Sequence, residues 1–157
     1  MKLLFLFGSI AVASGLLFAN IYTSMIDAKS WGANIPQSIE TAREYFKTVN
    51  PGNFFRIFSP VNQVLALMVL ILFWKVSATA RIFLGIALAL YVCTDMFTFA
   101  YFYPRNDIMF VKGSLTDIDT LKNAWAGWKN MNWLRSFMIF AGLVFSFLAL
   151  HKIYTAR

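Results

Sequence analysis

Charge, histidine and cysteine are all scarce in this chain. Of its 157 residues only 13% are Asp, Glu, Lys or Arg, with one histidine and one cysteine among them all. A lone cysteine, Cys93, rules out an internal disulfide and paired-thiol redox chemistry, and inside an apolar run it reads as a buried structural thiol. The lone histidine, His151, lies near the far end of the last apolar run. That leaves a histidine-ligated haem, a di-iron carboxylate–histidine centre and a zinc hydrolase site short of ligands, and gives a Ser-His-Asp or Cys-His arrangement no base. No Gly-rich phosphate loop follows a strand, and no ten-residue segments of alternating polarity suggest a membrane barrel. No metal and no cofactor is expected.

What is abundant is apolar. The chain is 59% hydrophobic and 18% aromatic, with a mean hydropathy of +0.62, well outside the range of soluble domains. Four runs, at about 3–26, 60–76, 82–103 and 132–153, approach or exceed the roughly 20 residues a helix needs to cross a bilayer. The start "MKLLFLFGSIAVASG" also has the form of a cleavable leader, but apolar sequence continues through "LLFANIY", which favours a retained helix. The expected fold is an all-α membrane protein of one domain, 1–157. It is an up-down-up-down bundle of four transmembrane helices, with a short amphipathic helix in the first long loop.

The net charge of +7 reads as topology and not as affinity for nucleic acid. Four spans place both termini and the turn "KVSATAR" on one face, which carries Lys2, Lys75, Arg81, Lys152 and Arg157 close to helix ends and no acid. The long-loop face carries more Lys and Arg by raw count. Charges close to helix ends and in the first segment weigh most in the positive-inside rule, however, so the termini are expected in the cytoplasm, at a bacterial inner membrane.

Both long loops carry structure. In "IPQSIETAREYFKTVNPG", Ile39, Ala42, Phe46 and Val49 fall at helical spacing, with Asn50-Pro51-Gly52 as the stop. This helix lies on the membrane surface or covers the end of the bundle. In the second loop Thr116 and Asp119 resemble a capping box. Leu121, Trp125, Trp128, Asn132 and Arg135 then form a stripe running unbroken into the fourth span. Gly8, Ala11, Gly15 and Ala19, and Gly85 with Ala89, look like close-packing faces. Trp31, Trp74, Trp133 and Tyr154 look like interface anchors.

The polar residues inside the spans are unevenly placed. Asp95 lies eight residues before Tyr103 in the third span, about 12 Å below its end. Asn20 of the first span, Asn62 and Gln63 of the second, and Asn132, Arg135 and Ser136 of the fourth reach the same half. The opposite half is nearly all aliphatic or aromatic. A polar hollow opening toward the long loops follows, with Arg135, directly or through a water or substrate, as first choice and Arg56 as second for the partner of Asp95. A helix-locking network without a ligand is the competing explanation for these residues.

Two stretches, "YFYPRNDIMF" and "WKNMNWLRSF", resemble the paired signatures of the anthrone-oxygenase-like family of small four-helix membrane proteins. The matching positions are Tyr103, Pro104, Asn106, Trp128, Asn132 and Arg135. The chain differs in carrying Asn132 where several relatives have His, and in its long first loop. The resemblance implies oxidation of a lipophilic aromatic, an anthrone or a quinol, by dioxygen without a bound metal. Asp95 is then the candidate base and Arg135 the anion stabiliser. Asn106, Asn132 and Trp128 position the substrate, and Asn20, Asn62, Gln63 and Tyr103 complete the binding set. The alternative is a non-enzymatic membrane component that binds a lipid or quinone, or docks on a membrane-protein partner or a second copy of itself. Membrane lipid and a small lipophilic substrate are the expected contacts.

Overall fold

In the computed structural model, residues 1–111 and 117–155 are described. Five helices account for them: α1 Lys2–Trp31, α2 Gln37–Tyr45, α3 Pro51–Leu72, α4 Ala78–Val111 and α5 Ile118–Thr155. Among the described residues there is no strand. All but α2 are long and apolar enough to cross a membrane, so the protein is an integral membrane protein. α1 contacts α3 and α5, and α4 contacts the same two helices, so the four spanning helices close into a ring.

The boundaries differ from the expected ones for local reasons. α3 begins at Pro51 and not at Pro60, because Pro51 takes the first helical position, where a missing N–H is no loss. Asn50 precedes it with extended backbone angles, so Asn50-Pro51-Gly52 starts a helix instead of stopping one. Pro60 lies inside α3, and the helix ends at Leu72. α4 starts where the Ser77 hydroxyl accepts from the Ala80 amide, and it runs past Tyr103 to Val111 through π turns at Thr98–Phe102 and Asp107–Val111. α1 likewise extends to Trp31 through a π turn at Thr23–Asp27. Such turns insert an extra residue per turn and recur near functional sites.

α5 is a single helix of 38 residues, as the Leu121-to-Arg135 stripe predicted. The expected cap at Thr116 lies outside the described residues. Within them, the Asp117 carboxylate accepts from the Thr120 amide at 3.0 Å. Hydrogen bonding from the Thr120 side chain, and from this amide, holds the Asp117 carboxyl below the usual carboxylate range. α2 covers the end of the bundle. Its Ile39 and Ala42 are buried, and the Arg43 guanidinium donates to the carbonyls of Met109 and Ile108 at 2.7 and 3.1 Å. The helix stops at Tyr45, which leaves Val49 outside it and exposed.

Three further expectations are corrected. Trp31 is no interface anchor: it is 6% exposed, with its ring 5.0 Å from that of Trp128. Trp74, Trp133 and Tyr154 are exposed. Cys93 is exposed, on the outer face of α4. Gly8, Gly15 and Gly85 have no neighbouring atoms within 4 Å of where a Cβ would stand, and Ala11 is exposed. The packed face of α1 is the one bearing Leu6, Ile10, Ala13 and Leu17. Close approaches occur instead at other glycines, among them Gly142, where a Cβ would come within 2.6 Å of the Tyr91 ring, and Gly127, where it would come within 2.8 Å of the Arg105 side chain.

Two apolar cores result. One, with Leu6, Val69, Leu84 and Leu143 among its members, fills the half near the termini. The other joins Trp31, Ile39, Phe102, Met109 and Trp128 beneath α2. Buried Asn20, Thr23, Ser24, Asn62, Thr94, Asn132, Arg135 and Ser136 come from all four spanning helices, at positions in the chain between those of the two cores.

Candidate functional site

A cavity of about 640 Å³ opens among these polar groups. Its walls are the second halves of α1 and α4 and the first halves of α3 and α5, and residues at the end of α2 border its outer end. One wall is thin. No residue of α3 before Asn62 is buried, so that stretch separates the cavity from the outside with a single layer of helix. The thinness has a packing cause: α3 touches α1 and α4 but makes no comparable contact with α5.

Asp95 projects into the cavity from α4, and its Oδ2 accepts a hydrogen bond from the Gln63 amide of α3 at 2.6 Å. Gln63 thus orients the carboxylate. The pairing of Asp95 with Arg135 expected from the sequence is not a direct one. Among the described residues no carboxylate stands within 4.0 Å of Arg135, though both side chains line the same cavity.

Arg135 is 7% exposed. Three aromatic rings surround its guanidinium, with centroids at 4.4 Å for Phe102, 5.3 Å for Phe55 and 5.7 Å for Trp128. Cation–π contacts of this kind contribute about 0.5–2 kcal/mol each. Ring contacts of this kind do not replace hydrogen bonds to the guanidinium N–H donors. Nε of Arg135 has no hydrogen-bond partner among the described residues.

The same holds for other groups on the cavity wall. The Oδ1 atoms of Asn20 and Asn62 and the indole Nε1 of Trp128 are buried without a partner. Leaving one such group unsatisfied costs about 1–3 kcal/mol, so buried polar atoms normally have partners. The residues that carry these donors (Arg135, Trp128) and acceptors (Asn20, Asn62) all line a single cavity.

Tyr103 and Asn106 also line the cavity, toward its outer end. Asn132 does not. Its amide donates to the Asn20 carbonyl at 3.2 Å and to the Ser24 hydroxyl at 2.6 Å. The Asn20 amide in turn donates to the Asn132 carbonyl at 3.2 Å and to Ser136 at 2.7 Å. Asn132 therefore locks α1 to α5 from outside the cavity, whereas Asn20 belongs to both the lock and the wall.

Ser24, Phe55, Phe102 and Tyr91 were not singled out as site residues from sequence. Ser24 lies four residues after Asn20, and Ser136 four after Asn132, so the i, i+4 spacing of the lock was present to be read. Tyr91 and Phe102 share the helical face of Asp95 by their spacing, whereas nothing comparable marks Phe55 among the chain's 17 phenylalanines. Among the described residues no three His, Cys, Asp or Glu side chains come together as metal ligands would.

A family model described as anthrone oxygenase matches residues 52–145, more than half of the chain. The matched stretch holds Gln63, Asp95, Trp128 and Arg135, and leaves out Asn20. No curated protein and no solved structure matches.

Proposed function

The chain belongs to the anthrone oxygenase family, and from that membership we propose that it oxidises a lipophilic aromatic of the anthrone or quinol type, using dioxygen and its own side chains. The observation that carries this reading is Arg135: a buried cation, clasped by aromatic rings, with no carboxylate within salt-bridge reach among the described residues, and lining the cavity that also holds Asp95. A buried charge without a bonded counter-ion is expensive, and an anion formed on a bound substrate offsets that cost.

A quinol gives two electrons and two protons to dioxygen, leaving a quinone and hydrogen peroxide; for an anthrone the chemistry follows from its activated CH₂. The Asp95 carboxylate removes a proton from the activated CH₂ beside the aromatic rings, and the electron pair moves to the ring carbonyl, whose oxygen becomes anionic. Arg135 and the Trp128 N–H stabilise that oxyanion. The carbanion form adds dioxygen at the former CH₂ carbon and takes back a proton to give a hydroperoxide. Loss of water then leaves a ketone. The carbon is oxidised from CH₂ to C=O, and dioxygen supplies one oxygen to the product and one to water. Gln63 holds the base at its working angle, while Asn20 and Asn62 accept from substrate hydroxyls.

We place both termini on the cytoplasmic face and the mouth of the cavity on the other, in line with the basic residues near the helix ends. Oxygen consumption by protein purified in detergent, with anthrone or a hydroquinone added, tests the reaction. Uptake above the rate of detergent alone, abolished in Asp95→Asn, supports it. No uptake with any such compound would leave binding without turnover.

A further inference from the structure

We propose that Arg56 is a specificity residue: it reads an acidic substituent, a carboxylate or an ionised phenol, at the outer end of the aromatic ligand. The inference rests on the aromatic-ligand reading above and adds a second polar group that the ligand must carry.

The geometry is that of one helix face. Arg56, Ser59 and Gln63 all line the cavity, at spacings of three and four residues that place them in a row along α3. Gln63 marks the depth of Asp95, to which it is bonded. Seven residues of helix raise Arg56 about 10 Å above that level. That is enough to span the half-length of three fused rings, from a central-ring carbon to an outer-ring substituent, with a polar contact at each end. A flat ligand with its reacting carbon beside Asp95 therefore presents its far edge to Arg56.

The outer end is also electrostatically one-sided. Arg43, Lys47 and Arg56 line it, against Asp107, which carries interactions of its own. Arg43 is committed to the Met109 and Ile108 carbonyls, and Lys47 lies 3.6 Å from Glu44. Arg56, by contrast, has no hydrogen-bond or ion-pair partner among the described residues. The N-terminus of α3, through Asn50, Pro51 and Gly52, borders the same space and adds the positive end of its dipole. A guanidinium offers a planar fork of donors suited to a carboxylate.

An anionic lipid headgroup presents the same chemistry at a membrane surface, so the experiment must separate the two. Two fluorescent probes differ only in the substituent: anthracene-2-carboxylate and 2-methylanthracene. Each is titrated into the full chain in nonionic detergent, and its fluorescence is followed. The wild type is expected to bind the carboxylate about tenfold more tightly, the scale of one charge-assisted contact. Arg56→Gln removes that preference by weakening the carboxylate alone, and Arg56→Lys retains most of it. Because Arg56 is exposed, both variants should fold, and an unchanged affinity for 2-methylanthracene verifies this.

Equal binding of both probes by the wild type overturns the proposal, as does an Arg56→Gln variant that loses both alike. Displacement of the carboxylate by phosphatidylglycerol, but not by phosphatidylcholine, assigns Arg56 to a headgroup and overturns it too. Failure of both probes to bind sinks this inference together with the aromatic-ligand reading. A carboxylate preference without oxygen uptake upholds the inference while the oxygenase reading falls.

Discussion

Asn20 of α1 and Asn132 of α5 donate to each other's backbone carbonyls at 3.2 Å, and each also donates to a serine of the opposite helix. The two helices are thereby held in one register at the depth of the cavity. Van der Waals packing alone specifies little between apolar helices in a bilayer, since lipid tails pack on them as well. A reciprocal amide lock specifies one face and one height.

That lock predicts a coupled effect on stability. Asn132→Ala and Ser24→Ala are each expected to destabilise the protein. Their double-mutant cycle should give a coupling of about 0.6 kcal/mol, and at most about 1.7, the range of interhelical hydrogen bonds in membranes. Unfolding in mixed micelles by a titrated denaturing detergent measures it. Strictly additive losses would show that the bond between them adds nothing.

Asp95→Asn separates chemistry from architecture. The amide oxygen of asparagine still accepts from Gln63, so the melting temperature should hold within a degree or two. Oxygen consumption should drop by about 100-fold or more, the scale of a lost general base. A variant with undiminished turnover rules out Asp95 as the base.

Arg135 predicts a trade of stability against function. Arg135→Gln withdraws a buried charge that has no carboxylate within 4.0 Å among the described residues, so the variant should melt no lower than the wild type. Turnover should nevertheless fall by about 100-fold, as when an oxyanion stabiliser is removed. Arg135→Lys keeps the charge but loses the planar, delocalised guanidinium set among Phe102, Phe55 and Trp128, and should recover only part of the activity. A large fall in melting temperature for Arg135→Gln would instead mark the guanidinium as a structural strut.

Glycines on opposite faces should respond oppositely. At Gly142 a methyl group would meet the Tyr91 ring at 2.6 Å, so Gly142→Ala is expected to cost about 1–3 kcal/mol through overpacking. It also displaces Tyr91, which lines the cavity and whose hydroxyl is 3.2 Å from that of Ser146. Gly15→Ala meets nothing within 4 Å and should raise stability by about 0.5–1 kcal/mol, as alanine does in a helix interior. Thermal unfolding of the two variants side by side provides the comparison, and a destabilised Gly15→Ala would point to a packing partner on that face.

Much of this architecture is legible in one dimension. The four spanning helices, the gathering of polar residues in one half, and the single α5 carrying Trp128, Asn132 and Arg135 all follow from hydropathy and from the 3.6-residue period. Both are properties of contiguous residues. The shortage of histidine and cysteine likewise belongs to composition alone.

Tertiary structure decided which way each apolar face points. A membrane helix is greasy toward its neighbours and greasy toward lipid, so hydropathy does not distinguish the buried Ala13 stripe from the outward Gly15 stripe, or a core thiol from the exposed Cys93. Nor does it tell that Trp31 turns inward onto Trp128, that Gln63 and not Arg135 takes the hydrogen bond position on Asp95, or that Asn132 stands behind the cavity wall. These follow from the relative rotation and height of separate helices, which are set by contacts between residues far apart in the chain.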